Sequence, residues 1–326
     1  MKNKKIFIGF DGGGTKISAC AKNLEEETLY SGRLPVSGNI SAAGGSSTAA
    51  NFMSVIKSIG PVENIAALTA AVAGFSNKTE LESFSGRLRE ELPQGTPLFI
   101  MPDYEIFFYS RWDDFSLVSE APSKTRIIAI AGTGSVIFGR SVDKKGETAA
   151  SRAFGYGPLI SDPGSSFDLG LRFIRSFLVE KETERALPET FEIIKKHGLI
   201  DPETPSGLAF DANHFQNSIA SYAPAMIDAA MAMPESVYFN GVCDAAADLA
   251  AGISSVSGKL NAFNGRSDAE LLFNGGLILN SVFYRELVLK KIAASASAAF
   301  EFYCAPPDVS NICASHSLKK YKENAS

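Results

Sequence analysis

The chain is poor in the residues that carry redox, metal and nucleic-acid chemistry. Of its 326 residues, four are cysteine, three histidine and one tryptophan. Cys20, Cys243, Cys304 and Cys313 stand far apart and make no Cys-x-x-Cys pair, and Cys20 and Cys243 lie inside apolar patterns, so they read as reduced core thiols. A cytoplasmic setting is expected from that. His197, His214 and His316 are dispersed without metal-ligand spacing and are assigned no chemistry. There is no basic surplus either: 31 Lys and Arg stand against 36 Asp and Glu, for a formal net charge of −5. Lysines cluster only at the two ends (Lys2, Lys4 and Lys5, then Lys319, Lys320 and Lys322), which excludes a nucleic-acid footprint. No run approaches the ~18 apolar residues of a membrane span, and the N-terminus enters a strand without an apolar leader, so neither a membrane-spanning nor a secreted protein is predicted.

What the chain does have is glycine in particular places. Phe7 to Lys16 reads Phe-Ile-Gly-Phe-Asp-Gly-Gly-Gly-Thr-Lys, an apolar strand running into a turn that almost no side chain fills. Ile17 to Ala21 restarts a strand, so the stretch is a β-hairpin with a glycine tip. Amides at such a tip form an anion-binding concavity, the Thr15 hydroxyl adds a donor, and Asp11 can hold a hydrated divalent cation against phosphate oxygens. The spacing fits neither the phosphate loop ending in Gly-Lys-Ser/Thr nor a Gly-x-Gly-x-x-Gly opening a helix, because the chain continues as strand.

At 326 residues, with 45% hydrophobic and 21% charged residues, the chain suits two globular domains. Thr28 to Val36 reads as a third strand, Ser46 to Ile59 as a helix, Ile65 to Val72 as a strand and Lys78 to Leu92 as a helix. Pro97 to Met101 is a short strand, and Tyr104 to Trp112 a helix that Asp103 can cap. The polar stretch 113–124 then places a boundary, giving domains of 1–118 and 119–306 with a last segment of 307–326 that packs back on the first. Ile127 onward, Ile-Ile-Ala-Ile-Ala-Gly-Thr-Gly-Ser-Val-Ile, repeats the opening hairpin at an offset of 120 residues, with Gly12 on Gly132, Gly14 on Gly134 and Thr15 on Ser135. Two such hairpins opening two domains can form the two sides of one nucleotide cleft.

After Asp162 the pattern turns helical: Ser165 to Glu180, Thr183 to His197, Asn213 to Met233 and Glu235 to Leu260. Leu271 to Phe273 is a strand followed by Asn274-Gly275-Gly276, a third glycine edge, and then a helix from about Ser281 to Phe302 stopped by Pro306-Pro307. Asp308 to Tyr321 can form a final helix.

With the three glycine sites in this order, the chain resembles the sugar kinase, actin and heat-shock chaperone ATPase superfamily. Within it, the branch is that of the N-acetylglucosamine kinases and BadF/BadG/BcrA/BcrD-type ATPases. The resemblance implies an α/β fold of two ribonuclease-H-like domains, each a mixed sheet opening with an antiparallel glycine-tipped hairpin and flanked by helices, with an ATP cleft between them. It assigns Asp11, Gly12, Gly13, Gly14, Thr15 and Lys16 to the first phosphate loop, with Mg²⁺ held through water at Asp11. Gly132, Thr133, Gly134 and Ser135 match the second loop, and Gly275, Gly276 and Asn280 the adenosine segment. Asn39, Ser135, Asp162 and Ser165 become sugar-side residues and Asp103 the base that deprotonates the acceptor hydroxyl. The implied activity is ATP-dependent phosphorylation of an amino sugar, N-acetylglucosamine or glucosamine, at the 6-position. The implied partners are a small sugar and, as in the kinase branch, a second copy of the chain.

Gly155-Tyr156-Gly157 and Ser161-Asp162-Pro163-Gly164-Ser165 resemble the family's Gly-Trp-Gly and Gly-Asp-Glu-Gly-Ser segments, except that Pro163 replaces the Glu and Ser161 the first Gly. The C-terminal Pro-x-x-Gly-Ala pattern is blurred to Cys313-Ala314. Two other functions remain open at this level. One is an ATPase activating a dehydratase or reductase through a bridging iron–sulfur cluster, against which no cysteine lies between Cys20 and Cys243. The other is a silent sugar or nucleotide sensor.

Overall fold

The computed structural model describes residues 5–14, 16–112, 121–185, 188–199, 215–295, 298–306 and 308–325, so Thr15, Asn213, His214 and Pro307 lie outside the described residues. The chain divides into two units, one of Met1–Phe115 with Ala305–Ser326 and one of Ser116–Cys304.

The first unit opens with β1 (Ile6–Gly12), β2 (Ile17–Lys22) and β3 (Thr28–Leu34), then α1 (Ile40–Ala43), α2 (Gly45–Ile59), β4 (Ile65–Val72), α3 (Lys78–Glu91), β5 (Leu98–Pro102) and α4 (Ile106–Arg111). Its sheet runs β3-β2-β1-β4-β5, antiparallel at β1–β2 and β2–β3 and parallel at β1–β4 and β4–β5. Period-two alternation sorts β1 into two faces. Ile8 and Phe10 point to α2 and α3, where Phe10 stacks on Phe52 at 4.1 Å and Phe84 meets Phe52 edge-on at 5.2 Å. Phe7 faces the other way, onto Leu318 and Tyr321 of the C-terminal helix, Val309–Ala325. That helix lies so close to β1 that a Cβ on Gly9 would overlap the Ala314 amide nitrogen and the Ser310 carbonyl oxygen. β4 is buried along almost its whole length, as a parallel strand covered on both faces must be.

The second unit holds β6 (Thr125–Ala131), β7 (Ser135–Val142), β8 (Thr148–Phe154), α5 (Ser166–Glu182), α6 (Pro188–Lys196), α7 (Phe215–Ala220), α8 (Ala223–Ala232), α9 (Val237–Asn264), β9 (Asp268–Asn274), α10 (Gly276–Asn280), α11 (Val282–Ser295) and β10 (Ala299–Cys304). Ala245, Ala246, Leu249, Ile253, Val256 and Leu260 of α9 are fully buried, and Gly252 lets this helix lie close to Ile137 and Phe154 of the sheet. Its sheet order, β10-β9-β6-β7-β8, repeats that of the first unit strand for strand, with the same parallel and antiparallel joints. The echo seen in two hairpins is therefore an echo of whole sheets. The tips differ in length, since the last ladder pair is Gly12–Ile17 in one and Ala131–Ser135 in the other.

Several expectations are corrected. The helix expected over Ser281 to Phe302 stops at Ser295, and Ala299–Cys304 is an edge strand parallel to β9. Phe300 and Phe302 belong to that strand's period of two, and Pro306 follows a strand instead of ending a helix. β8 was not anticipated at all. The long helix expected up to Met233 is broken at Ser221–Tyr222, with Pro224 in the first turn of α8, where its missing N–H costs nothing. The helix expected from Thr183 begins at Pro188. Among the described residues, no helix is long and apolar enough to cross a membrane.

Candidate active site

In the first unit the site residues gather beyond the carboxyl ends of the parallel strands, where open α/β sheets place ligands. β1 ends in Asp11–Gly12. The Gly13 N–H closes the tip onto the Lys16 carbonyl at 3.0 Å, and Gly14 beside it is exposed. The loop of Gly38 and Asn39 docks beside it, Gly38 N–H donating to the Gly13 carbonyl at 2.8 Å. Lys16 is exposed at the tip; Thr15, next to it, lies outside the described residues.

Asp11 has its carboxyl pushed up to about 7, first by burial and then by the carboxylates of Asp103 and Asp308, against the opposing pull of Lys16 and Arg33. Asp103 therefore shares the electrostatic neighbourhood of the first glycine turn. It follows β5 directly, with its N–H donating to the Val72 carbonyl at 3.2 Å. The capping role considered for it is corrected: α4 starts at Ile106 with Glu105 at its N-cap and no side-chain cap bond from that residue, because Tyr104 and Glu105 separate Asp103 from the helix. Asn39 does cap a helix, its Oδ1 accepting from the amides of Ser41 at 3.0 Å and Ala42 at 3.3 Å. Its backbone is extended at φ −76°. These bonds use the amide oxygen; the Nδ2 group takes no part in them.

In the second unit the turn Gly132–Gly134 is fixed from one side by α5. Ser166 and Phe167, in the first turn of that helix, donate their amides to the carbonyls of Gly132 at 2.7 Å and Thr133 at 3.2 Å. Helix donors that would otherwise lack partners are thereby satisfied, and the carbonyls of the turn point at the helix. Ser165 is the N-cap of α5, fully buried, its Oγ accepting from Asp168 N–H at 3.2 Å. Ser135 is buried too, and its hydroxyl donates to the Pro163 carbonyl at 2.8 Å. The bonds in which these two hydroxyls are engaged are structural.

Asp162 sits against the turn itself: a Cβ on Gly134 would lie 2.5 Å from Asp162 Oδ2, so a larger residue there would push the carboxylate aside. Oδ1 accepts from Gly157 N–H at 3.2 Å, closing the Gly155–Ser161 loop, from which Tyr156 projects with 65% of its surface exposed. Burial raises the Asp162 carboxyl to about 6, while amides of Gly157, Ser135 and Gly155 pull the other way. Gly275 and Gly276 come within 3.6 Å of where a Gly132 Cβ would be, because β6 and β9 are adjacent and parallel with Ile130 paired to Asn274. Asn280 is exposed at the end of α10.

Asp308, Asp168 and Tyr284 escaped the sequence reading. Asp308 lies almost 300 residues from Asp11 in the chain, so only its role as a cap of the C-terminal helix, with Oδ1 accepting from Asn311 N–H, is visible locally. The capping pattern Ser165-x-x-Asp168 was readable, although its second partner, Gly164, was not.

No protein-family model matches the chain. It is 27% identical over 191 residues to the N-acetylmuramic acid/N-acetylglucosamine kinase of Clostridium acetobutylicum, a match spanning 57% of this chain and 58% of that relative. It is 26% identical over 310 residues to the N-acetyl-D-glucosamine kinase of Dictyostelium discoideum, covering 89% of this chain and 91% of the relative. The crystal structure of a candidate N-acetylglucosamine kinase from Porphyromonas gingivalis superposes with a TM-score of 0.70 at 18% identity, covering 98% and 99% of the two chains. The fold is that of the actin-like ATPase sugar kinases. Each copy of the duplicated sheet brings one glycine turn to the carboxyl end of its central strand.

Proposed function

We propose that the chain is an ATP-dependent kinase that phosphorylates a hydroxyl of an amino sugar, N-acetylglucosamine or glucosamine, at the 6-position. The observation that carries this is Asp103: a carboxylate that directly follows a parallel strand, outside the N-cap position of α4, and close enough to Asp11 to raise its pKa. Both sequence relatives are named amino-sugar kinases, which supports this reading over an activator ATPase.

Phosphoryl transfer needs a clamped triphosphate, an acceptor hydroxyl held in line and a group to take its proton. Asp103 is assigned the proton, Asn39 and Asp162 the sugar, and the turns at Gly12–Gly14 and Gly132–Gly134 the phosphates, with Gly275, Gly276 and Asn280 toward the adenosine. Asp11 fits a hydrated divalent cation: burial and two neighbouring carboxylates leave its own charge poorly compensated. Mg²⁺, when bound, would neutralise phosphate charge there. A cytoplasmic setting and a homodimer belong to the same proposal.

The test is a panel of sugars screened for ATP-dependent mass gain, followed by Asp103→Asn. Loss of a general base is expected to lower kcat by about 10²–10⁴ with Tm little changed. Full turnover in that variant would remove Asp103 from the role. Sugar binding by calorimetry without any product would favour a sensor.

A further inference from the structure

Gly164 is held at both of its backbone polar groups by side chains, one from the helix that follows it and one from a helix 120 residues away in the chain. Its N–H donates to Asp168 Oδ2 at 2.9 Å, and its carbonyl accepts from the Tyr284 hydroxyl at 2.8 Å. Its φ of +74° is left-handed, and a Cβ would come within 2.9 Å of the Ala245 carbonyl, the Leu249 Cβ and the Tyr284 hydroxyl. Helices α5, α9 and α11 thus converge on one residue.

Each of the two anchors is itself fixed. Arg172 Nε donates to Asp168 Oδ1 at 2.9 Å and its Nη2 to Asp248 at 3.1 Å, tying α5 to α9. Tyr284 is fully buried, and burial pushes its ionisation far above the ordinary range, so its hydroxyl stays a donor. That hydroxyl adds no apolar area. A phenylalanine would fill the same space without a polar group to desolvate; what the oxygen supplies is the bond to Gly164.

On either side of Gly164 the chain turns toward the second glycine turn. Pro163 gives its carbonyl to Ser135, and Asp162 sets its carboxylate against Gly134 and Gly157. We infer that Tyr284 and Asp168 are positioning residues for the phosphate-binding turn Gly132–Gly134, acting through Gly164 on Pro163 and Asp162. This rests on the kinase function proposed above. It also gives the segment with Pro163 in place of the family's Glu a means of staying in register, a backbone clamp that needs no side chain at 163.

The test uses the full chain and three variants: Tyr284→Phe, Asp168→Asn and Asp168→Ala. The readouts are steady-state kinetics with ATP and the amino sugar that the wild type phosphorylates, ADP binding by calorimetry, and Tm. Tyr284→Phe is expected to weaken ADP binding and raise the KM for ATP about tenfold, with the KM for sugar within twofold of wild type. Asp168→Asn keeps an acceptor for Gly164 N–H and is expected to retain at least fivefold more kcat/KM for ATP than Asp168→Ala. A purely structural role would instead lower Tm and active fraction while leaving the KM for ATP in place. Wild-type ADP affinity and KM in Tyr284→Phe, or equal loss in the two Asp168 variants, would overturn the inference while leaving the kinase function standing. A wild-type chain that makes no product and binds no ADP would overturn the kinase function and this inference with it.

Discussion

Asp162→Asn should stabilise the protein at neutral pH while removing a group the reaction is proposed to use. Asp162 as a residue is 9% exposed, and burial raises its carboxyl from an ordinary 3.8 to about 6. Because the folded pKa lies above the unfolded one, the folded state holds more protons in that window, and stability present below pH ~4 is lost as pH rises through 6. A shift of about two units corresponds to ~3 kcal/mol. Asparagine carries no charge to desolvate, but with one acceptor oxygen for several amides it forfeits about 1 kcal/mol of hydrogen bonding at every pH. The variant is therefore expected to be less stable than wild type by ~1 kcal/mol near pH 4 and more stable by ~2 kcal/mol near pH 7.5. For a unit of this size that swing is about 6–12 °C in Tm. Scanning calorimetry of both proteins from pH 4 to 7.5 reads it directly. A difference in Tm that stays constant across this range would refute the argument, because only a desolvated charge makes the gap depend on pH.

The first unit should show the opposite dependence. His316, buried against Phe99 and Tyr109 with Nδ1 2.9 Å from the Thr69 hydroxyl, is held down to about 4 by burial and by Lys320. Its contribution is full above pH 6.5 and is lost as pH falls toward 4, about 3 kcal/mol in all. His316→Asn should flatten that acid limb, followed through the fluorescence of Trp112, the chain's single tryptophan, which lies in this unit. Gly9→Ala is expected to displace the C-terminal helix from β1 and cost roughly 3 kcal/mol, since the obstructing atoms are backbone and cannot rotate away. An unchanged urea midpoint would show that the helix can shift at no cost.

How much was legible depended on how local each cause was. The hairpin of β1 and β2, β4 and α3 were all readable within a residue or two, because apolar period and glycine punctuation act over a few neighbours. The repeat at an offset of 120 residues was visible only where it was written in glycine. Carried through the topology it would have located β10, the counterpart of β5, but Phe300 and Phe302 sit on an edge strand whose partner, β9, is the only thing that makes them a strand.

The candidate site divides the same way. The residues of the turns could be named from composition and spacing, since exposing amides to an anion demands glycine wherever it occurs. Whether Asp103 stood at the N-cap position hung on where α4 begins, and whether Ser165 and Asn39 had oxygens to spare hung on helix ends that the chain packs into place. Asp308 beside Asp11, and Tyr284 on Gly164, come from parts of the chain far apart in sequence. By itself the sequence determined the strand and helix periods, the two glycine tips and the acidic, cysteine-poor character. Tertiary structure alone decided which carboxylates share a neighbourhood and which hydroxyls are spent on the backbone, because desolvation and hydrogen-bond partners belong to places in space and not to positions in the chain.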